Sequence, residues 1–383
     1  MPMAYEFTKR LTRLEQHAHT FALEHIASRP DLASSTIFPL DLWEEMGRVG
    51  LLGIGIPRKY GGEGEGYLGI TAIGRALARR GRCLGIVLSW LMHQITARFL
   101  ICGFASDSQQ QAYLPDMATG KVTMCIALSE PGVGGHPKHL ATSAEKQGKN
   151  YRLTGEKTYL TNGPIADVYT VFAVTGHSGA RKRFSAFIVP RSTSGLTVTA
   201  PVDFGFLRPC PHGGIILDSC MIPETSVLGR IDNAYKDMAL LFREVEDTLM
   251  MGPVLGAEEA QLEGLITCLK TRMLKPSDEI AFLLGKIRSS LCTLELIALE
   301  AVGMLETSAQ SEQLAYLVIS FRHLSQGVIS DLKELHASSG IHIDSAYRVL
   351  ASDLEATSRF AESVSRLKQI KLGAALFSGG NSQ

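Results

Sequence analysis

The apolar residues of this chain change their spacing twice, and that switch limits the possible folds more than any other feature. Over residues 1–120 they recur three and four apart, as in Leu40-Asp-Leu-Trp-Glu-Glu-Met-Gly-Arg-Val49, which predicts helix. Gly61-Gly62-Glu63-Gly64, with Pro57 ahead of it, interrupts the pattern as a loop, and residues 68–80 and 84–103 predict apolar helices. From 121 to about 229 the period falls to two. Tyr169–Val174, Phe184–Pro190, Leu196–Ala200 and Gly214–Pro223 read as short strands separated by turns, which predicts a compact β-domain or small barrel. From about 231 the helical period returns in four long segments, roughly 232–265, 278–308, 310–338 and 347–376, which predict a bundle. The expected architecture is mainly α with a central β-domain: a helical domain over 1–120, a β-domain over 121–230 and a four-helix bundle over 231–383.

Composition narrows the function. Basic and acidic residues cancel, 38 against 38, so no net field draws the chain to nucleic acid or to an anionic membrane. Only 7% of residues are aromatic and none alternate with basic ones, which also argues against nucleic acid. Seven scattered cysteines, odd in number and without a CxxC pair, exclude a disulfide framework and a zinc centre; no metal is expected and a reducing cytoplasm fits. The first ten residues lack the basic-then-apolar order of a secretory signal, and no apolar run is expected to span a bilayer.

Two glycine-punctuated motifs stand in the β-rich region. The first is Met124-Cys-Ile-Ala-Leu-Ser-Glu-Pro-Gly-Val-Gly-Gly135; the second is Thr154-Gly-Glu-Lys-Thr-Tyr-Leu-Thr-Asn-Gly163. Gly132, Gly134 and Gly135 allow a backbone to come close to a flat or charged group, and Thr161-Asn162-Gly163 ends a strand in a tight turn. Two such turns on neighbouring strands can wall a cofactor.

This pair resembles the central signature of the acyl-CoA dehydrogenase family of flavoproteins, TEPGAGSD followed by NGxKxWITNG. Phrases of the first 120 residues, Leu51-Leu-Gly-Ile-Gly-Ile-Pro-Arg-Lys-Tyr-Gly-Gly62 and Tyr113-Leu-Pro-Asp-Met-Ala-Thr-Gly120, also look like that family's. The resemblance implies helix, β-domain and bundle in that order, a bound FAD, and α,β-dehydrogenation of an acyl thioester to its 2,3-enoyl form. The thioester would be carried by coenzyme A or by an acyl-carrier protein, electrons would pass to an electron-transfer flavoprotein, and the chain would form a homodimer or homotetramer. By position, Ile126, Leu128 and Ser129 would face the isoalloxazine edge, Tyr159 would stand where the family has a stacking Trp, and Thr161 where a Thr bonds the flavin. Gly134 and Gly135 would lie near the pyrophosphate, and Arg272 would be the family's Arg that reaches the flavin of a neighbouring subunit.

The reaction needs a carboxylate base for the α-proton, placed and desolvated. Family members keep it at one of two places. The stretch Arg243-Glu-Val-Glu-Asp-Thr-Leu-Met-Met-Gly252 puts Glu246 at the first. Its helix carries an apolar stripe of Met238, Leu241, Phe242, Val245, Leu249 and Gly252; at about 100° per residue Glu246 lies roughly 80° from the stripe, Glu244 roughly 120° and Asp247 roughly 180° away. Phe360-Ala-Glu-Ser-Val-Ser365 resembles the second place and makes Glu362 the rival.

Three departures from the family pattern bear on the cofactor. Gly135-His136 replaces Ser-Asp, Arg272 lacks the Phe-Gly that follows it elsewhere, and Glu334 replaces the Gln of a glycine-rich turn of which Gly340 survives. A Glu repels a phosphate instead of donating to it. The alternative is therefore a flavin-deficient relative that performs non-redox acyl-thioester chemistry or serves as a scaffold.

Overall fold

The computed structural model describes residues 2–307, 312–359 and 362–377, with the backbone alone for 2–9, 362–364 and 375. In chain order the helices are α1 (Pro2–Phe21), α2 (Leu40–Arg48), α3 (Tyr67–Gly81), α4 (Leu84–Ile95), α5 (Cys102–Phe104), α6 (Asp107–Ala118), α7 (Leu240–Leu249), α8 (Met251–Arg272), α9 (Asp278–Glu306), α10 (Glu312–Ser339), α11 (Ser345–Arg359) and α12 (Glu362–Phe377). The strands are β1 (Met124–Ala127), β2 (Ser143–Gln147), β3 (Asn150–Thr161), β4 (Val168–Ser178), β5 (Arg181–Pro190), β6 (Leu196–Val198), β7 (His212–Pro223) and β8 (Val227–Leu228). The chain divides into two compact units. One comprises Arg29–Ile70 and Gly85–Glu246, the other Met1–Ser28, Thr71–Leu84 and Asp247–Gln383.

The first unit holds all the strands. They run β6-β7-β3-β2-β4-β5-β8, with β1 parallel to β4. Among the described residues no bond joins β6 to β8, so the small barrel expected from the two-residue period is an open one. Its core is made of the alternate inward residues of several strands, among them Leu153, Tyr169, Val171, Phe187, Ile215 and Leu217. A polar hub fixes α4 beside it: Gln94 Nε2 donates to the carbonyl of Leu52 at 2.8 Å and its Oε1 accepts from Gly55 N at 2.9 Å, while Trp90 Nε1 donates to Leu51 at 2.7 Å. His93 is fully buried with Nε2 on the Met117 carbonyl at 3.0 Å, and burial pushes it down to about 4, so it is neutral at physiological pH. Helix α6 starts at a capping box, Ser106 Oγ accepting from Gln109 N and Ser106 N donating to Gln109 Oε1.

One expectation fails in this unit. The stretch Leu84–Phe104 is helical for 21 residues and is long and apolar enough to cross a membrane. It is a core helix, 89% buried within the fold. Ser89, His93 and Gln94, which look out of place in an apolar run, are the residues that bond it to its neighbours.

The second unit is helical. Leu283, Ile287, Leu291, Leu294 and Ala298 of α9 face Val318, Phe321, Val328 and Leu332 of α10 at three- and four-residue spacing. Helix α9 begins at Ser277, whose Oγ accepts from Ile280 N at 3.3 Å, with Asp278 and Glu279 in the first turn. The expected helix over 232–265 is two helices that part at Met250. Helix α8 lies against α3 without room for side chains: a Cβ on Gly252 would stand 2.3 Å from the Thr71 carbonyl oxygen, and one on Gly256 2.2 Å from that of Arg75. Arg75 of α3 then bridges Glu259 and Glu295, each at 2.7 Å.

Candidate active site

The two glycine motifs fold against each other. Thr158 N donates to the Ser129 carbonyl at 2.9 Å, and Cys125 Sγ donates to that of Thr161 at 3.2 Å. Beneath them lies an ion pair that the sequence did not advertise. Lys157 is fully buried and Glu130 is 5% exposed. Lys157 Nζ donates to Glu130 Oε1 at 2.8 Å and to the Leu128 carbonyl at 3.0 Å. The same carboxylate accepts the amides of Ala141 at 2.7 Å and Thr142 at 2.9 Å. Burial pushes Lys157 down to about 8. Burial also works to raise Glu130, but Lys157 and the hydrogen bonds outweigh it and hold the carboxyl below its ordinary value. Both charges are thus kept by a saturated set of partners, and these residues of the motifs are scaffold.

The residues aligned with the flavin wall behave differently. β3 carries a register shift between Lys157 and Leu160, and Tyr159 within it has φ 57°. A bulky residue held there is strained, a condition that clusters at functional sites. Its ring is 54% exposed and its centroid lies 5.8 Å from that of Phe204. Asn162 also has positive φ, 65°, and is locked by Ser89, whose carbonyl accepts its Nδ2 at 2.9 Å and whose hydroxyl donates to its Oδ1. Ile126 is buried, Leu128, Ser129 and Thr161 are half-buried, and no protein hydrogen bond engages the Ser129 or Thr161 hydroxyl among the described residues. Gly134 takes φ 58° in open space, so its glycine answers to the backbone and not to crowding. Gly135 is the reverse: a Cβ there would lie 3.3 Å from Leu128 Cδ2, which leaves little room for the family's Ser. His136 is exposed.

These features fit the ring half of FAD. A half-exposed aromatic face, two hydroxyls without protein partners and an open positive-φ glycine gather on one pair of neighbouring segments. The loop is tied to the approach to α7, since Tyr235 OH donates to the Gly135 carbonyl at 3.2 Å. On α7, Glu246 has a side chain 29% exposed and Arg243 Nη1 3.4 Å from its Oε2. The helical wheel ranked Asp247 as the acid farthest from the buried face, yet its side chain is only 8% exposed. Arg322 at 2.7 Å and Lys368 at 3.6 Å enclose it. The wheel saw one apolar stripe and could not see a second, charged face supplied by α10 and α12.

The remaining candidates lie in the helical unit. Arg272 Nη1 donates to the Gly340 carbonyl at 2.5 Å, so its side chain is engaged at the end of α10. Glu334 is exposed on α10. Glu362 opens α12, and its side chain lies outside the described residues. A cavity of about 290 Å³ in this unit is lined by Leu332, His336, Ile343, Tyr347 and Leu354, among others, and includes none of the residues singled out in the sequence. The described residues contain no group of His, Cys, Asp and Glu that could hold a metal.

With this site in place, comparison with known proteins defines a class of flavoprotein oxidoreductases acting on CH–CH bonds. The chain matches the acyl-CoA dehydrogenase N-terminal domain over residues 8–121 and the acyl-CoA dehydrogenase middle domain over 125–220. It is 34% identical to the L-prolyl-[peptidyl-carrier protein] dehydrogenase of Pseudomonas fluorescens over 62% of this chain and 63% of that one, less than two thirds of the relative's length. It is 30% identical to an acyl-CoA dehydrogenase of Bacillus subtilis over 70% of each chain. The fold alone is shared with the FAD complex of PigA, with a TM-score of 0.84, 20% identity and coverage of 97% of this chain and 98% of that one. The chain belongs to the acyl-CoA dehydrogenase family.

Proposed function

We propose that this chain is an FAD-dependent dehydrogenase that converts a saturated acyl thioester to its 2,3-enoyl form. The observation that carries the reading is the joined pair of motifs. Their charged residues Glu130 and Lys157 are consumed in an internal lock, while Tyr159 is exposed and the Ser129 and Thr161 hydroxyls have no protein hydrogen bond among the described residues. Ile126, Leu128, Ser129, Tyr159 and Thr161 would hold the isoalloxazine ring, with Gly134 and Gly135 towards the pyrophosphate. FAD, when bound, accepts the β-hydrogen as hydride.

The protein's share is to place the thioester, exclude water and take the α-proton. Glu246 is the proposed base, and its carboxylate becomes a carboxylic acid as the α-carbon loses its proton. Arg243 Nη1 stands 3.4 Å from its Oε2. Glu362 is the rival base. Coenzyme A or a carrier protein presents the acyl group, and the carrier-protein substrate named for the Pseudomonas relative supports keeping both. An electron-transfer flavoprotein is the proposed acceptor, and a homodimer or homotetramer the proposed assembly.

Visible absorbance of the purified protein tests this. A flavin spectrum that bleaches with an acyl thioester is expected, and colourless protein that cannot be reconstituted with FAD overturns the reading. Glu246→Gln should keep the flavin and slow bleaching at least about a hundredfold, within the usual worth of a general base. Normal bleaching in Glu246→Gln together with its loss in Glu362→Gln would move the base to Glu362.

A further inference from the structure

β2 runs parallel to β4, with Ser143 opposite Val174, so the β2–β3 and β4–β5 hairpins turn at the same end of the sheet. The two tips carry cations. Lys146 and Lys149 flank the first turn, and Arg181, Lys182 and Arg183 follow the second. A third segment joins them: Lys182 Nζ donates to the Leu140 carbonyl at 2.7 Å, which fastens the loop carrying His136, Lys138 and His139 to the second hairpin. The rings of His136 and His139 lie 5.1 Å apart.

The carboxylates at this end are already matched. Glu145 pairs with Arg152, Glu224 with Lys146 at 3.0 Å, and Asp232 with Arg183 at 3.0 Å. Lys138, Lys149, Arg181 and Lys182 have no carboxylate partner among the described residues, and the first three are exposed. A chain of zero net charge thus carries four cations without carboxylate partners together on one edge of the unit that holds the flavin wall. The loop that bears Lys138 is also the loop that begins with Gly134 and Gly135.

We propose that this edge is a docking surface for the acidic helix of a carrier protein that presents the acyl thioester. Width decides between a carrier and coenzyme A. Where Ser143 pairs with Val174, β3 to β5 are three strand-to-strand steps, about 14 Å in all. Coenzyme A carries three phosphates, but all on one adenosine nucleotide, so they gather on a cluster of cations and leave the rest of the edge unmet. A helix matches the width with carboxylates spread over about ten residues at about 1.5 Å each. Charge complementarity of this kind steers encounter and selects partners, and it is weakened by salt. The proposal rests on the thioester reading of the site, and it names which thioester.

The test measures binding of an acidic holo-carrier protein and of coenzyme A to wild type and to Lys138→Glu/Lys149→Glu/Arg181→Glu. None of the three side chains makes a hydrogen bond or ion pair among the described residues, so the fold should survive. Carrier affinity is expected to fall about tenfold in the variant, and in wild type between about 0.1 M and about 1 M salt, while coenzyme A affinity changes less than about twofold. If the triple variant does not fold, Lys149→Glu and Arg181→Glu singly should each weaken the carrier about threefold. Unchanged carrier affinity, a wild type that binds no carrier, or an equal loss for coenzyme A overturns the proposal. Binding needs no turnover, so a colourless protein that still binds the carrier through these cations would sink the dehydrogenase reading and leave the docking surface standing.

Discussion

The β-rich unit and the helical unit have kept the family's marks to different degrees. In the first, both signature motifs are continuous and lie within the matched family regions, which in the helical unit take in 8–28 and 71–84 and nothing after 247. In the second, Arg272 bonds the Gly340 carbonyl, and Glu334 stands where the family has Gln. The difference follows from what each unit demands of its residues. β3 and the turn after it must hold Tyr159 and Asn162 at positive φ and bury a Lys beside a Glu, which few residue types satisfy. A helical bundle asks only for an apolar face at the right spacing, which many residues satisfy.

The sharpest way to break that contrast is to remove one member of the buried pair. Glu130→Gln leaves Lys157 in the core without a counter-charge, and a loss of about 3–5 kcal/mol is expected in denaturant unfolding. Glu130→Gln with Lys157→Met should recover part of it, because neither charge is then stranded. The pair also sets an acid limit. Glu130 has a folded pKa below its unfolded one, so its stabilisation is complete above the ordinary carboxylate range and is lost as pH falls through the lowered value. If Glu130→Gln unfolds no more readily than wild type, the motif is not kept for its lock.

The helical unit has its own buried acid, and it is the counter-test. Glu258 is completely buried, Ser325 Oγ donates to its Oε1 at 2.5 Å, and its Oε2 has no hydrogen-bond partner among the described residues. Burial, with Glu259 as a smaller contributor, raises it to about 8, and Ser325 only partly offsets this. The folded state therefore holds a proton that the unfolded state has released from about pH 4.5 upward. Stability from this group is full below that and is lost as pH rises towards about 8. Glu258→Gln should flatten the melting temperature over that window and stabilise the protein at pH 8.5 by about 1–3 kcal/mol, the cost of an unmatched buried polar group. A profile as steep as wild type would assign the pH dependence elsewhere.

What the sequence disclosed follows the same division. The strands were legible because alternate residues of β4, β5 and β7 face one core, and the helices because α9 and α10 repeat every three or four residues. The motif turns were legible because Gly and Asn mark positive φ. The Glu130–Lys157 lock was not, since the two lie 27 positions apart and each residue type is ordinarily a surface one. Asp247 was misjudged because its cation comes from Arg322, 75 positions on. The cationic edge was hidden by a net charge of zero, for only the parallel placing of β2 beside β4 brings the two hairpin tips together.

The smallest expected effect bears on the weakest part of the cofactor reading. Arg272 is exposed and donates to Gly340, which ties its guanidinium to the end of α10. Arg272→Ala should cost about 0.5–1 kcal/mol, the worth of an ordinary hydrogen bond at an exposed site, through looser closure of the end of α10. Flavin content and FAD affinity should stay within about twofold of wild type, since a contact that is not made with the cofactor removes none of its binding energy. Thermal unfolding of the FAD-free protein reads the first number and titration with FAD reads the second. A drop in FAD affinity of tenfold or more, about 1.4 kcal/mol, would show that Arg272 leaves Gly340 when flavin binds. The helical unit would then have kept its half of the cofactor site, and the contrast between the two units would narrow to the single replacement at Glu334.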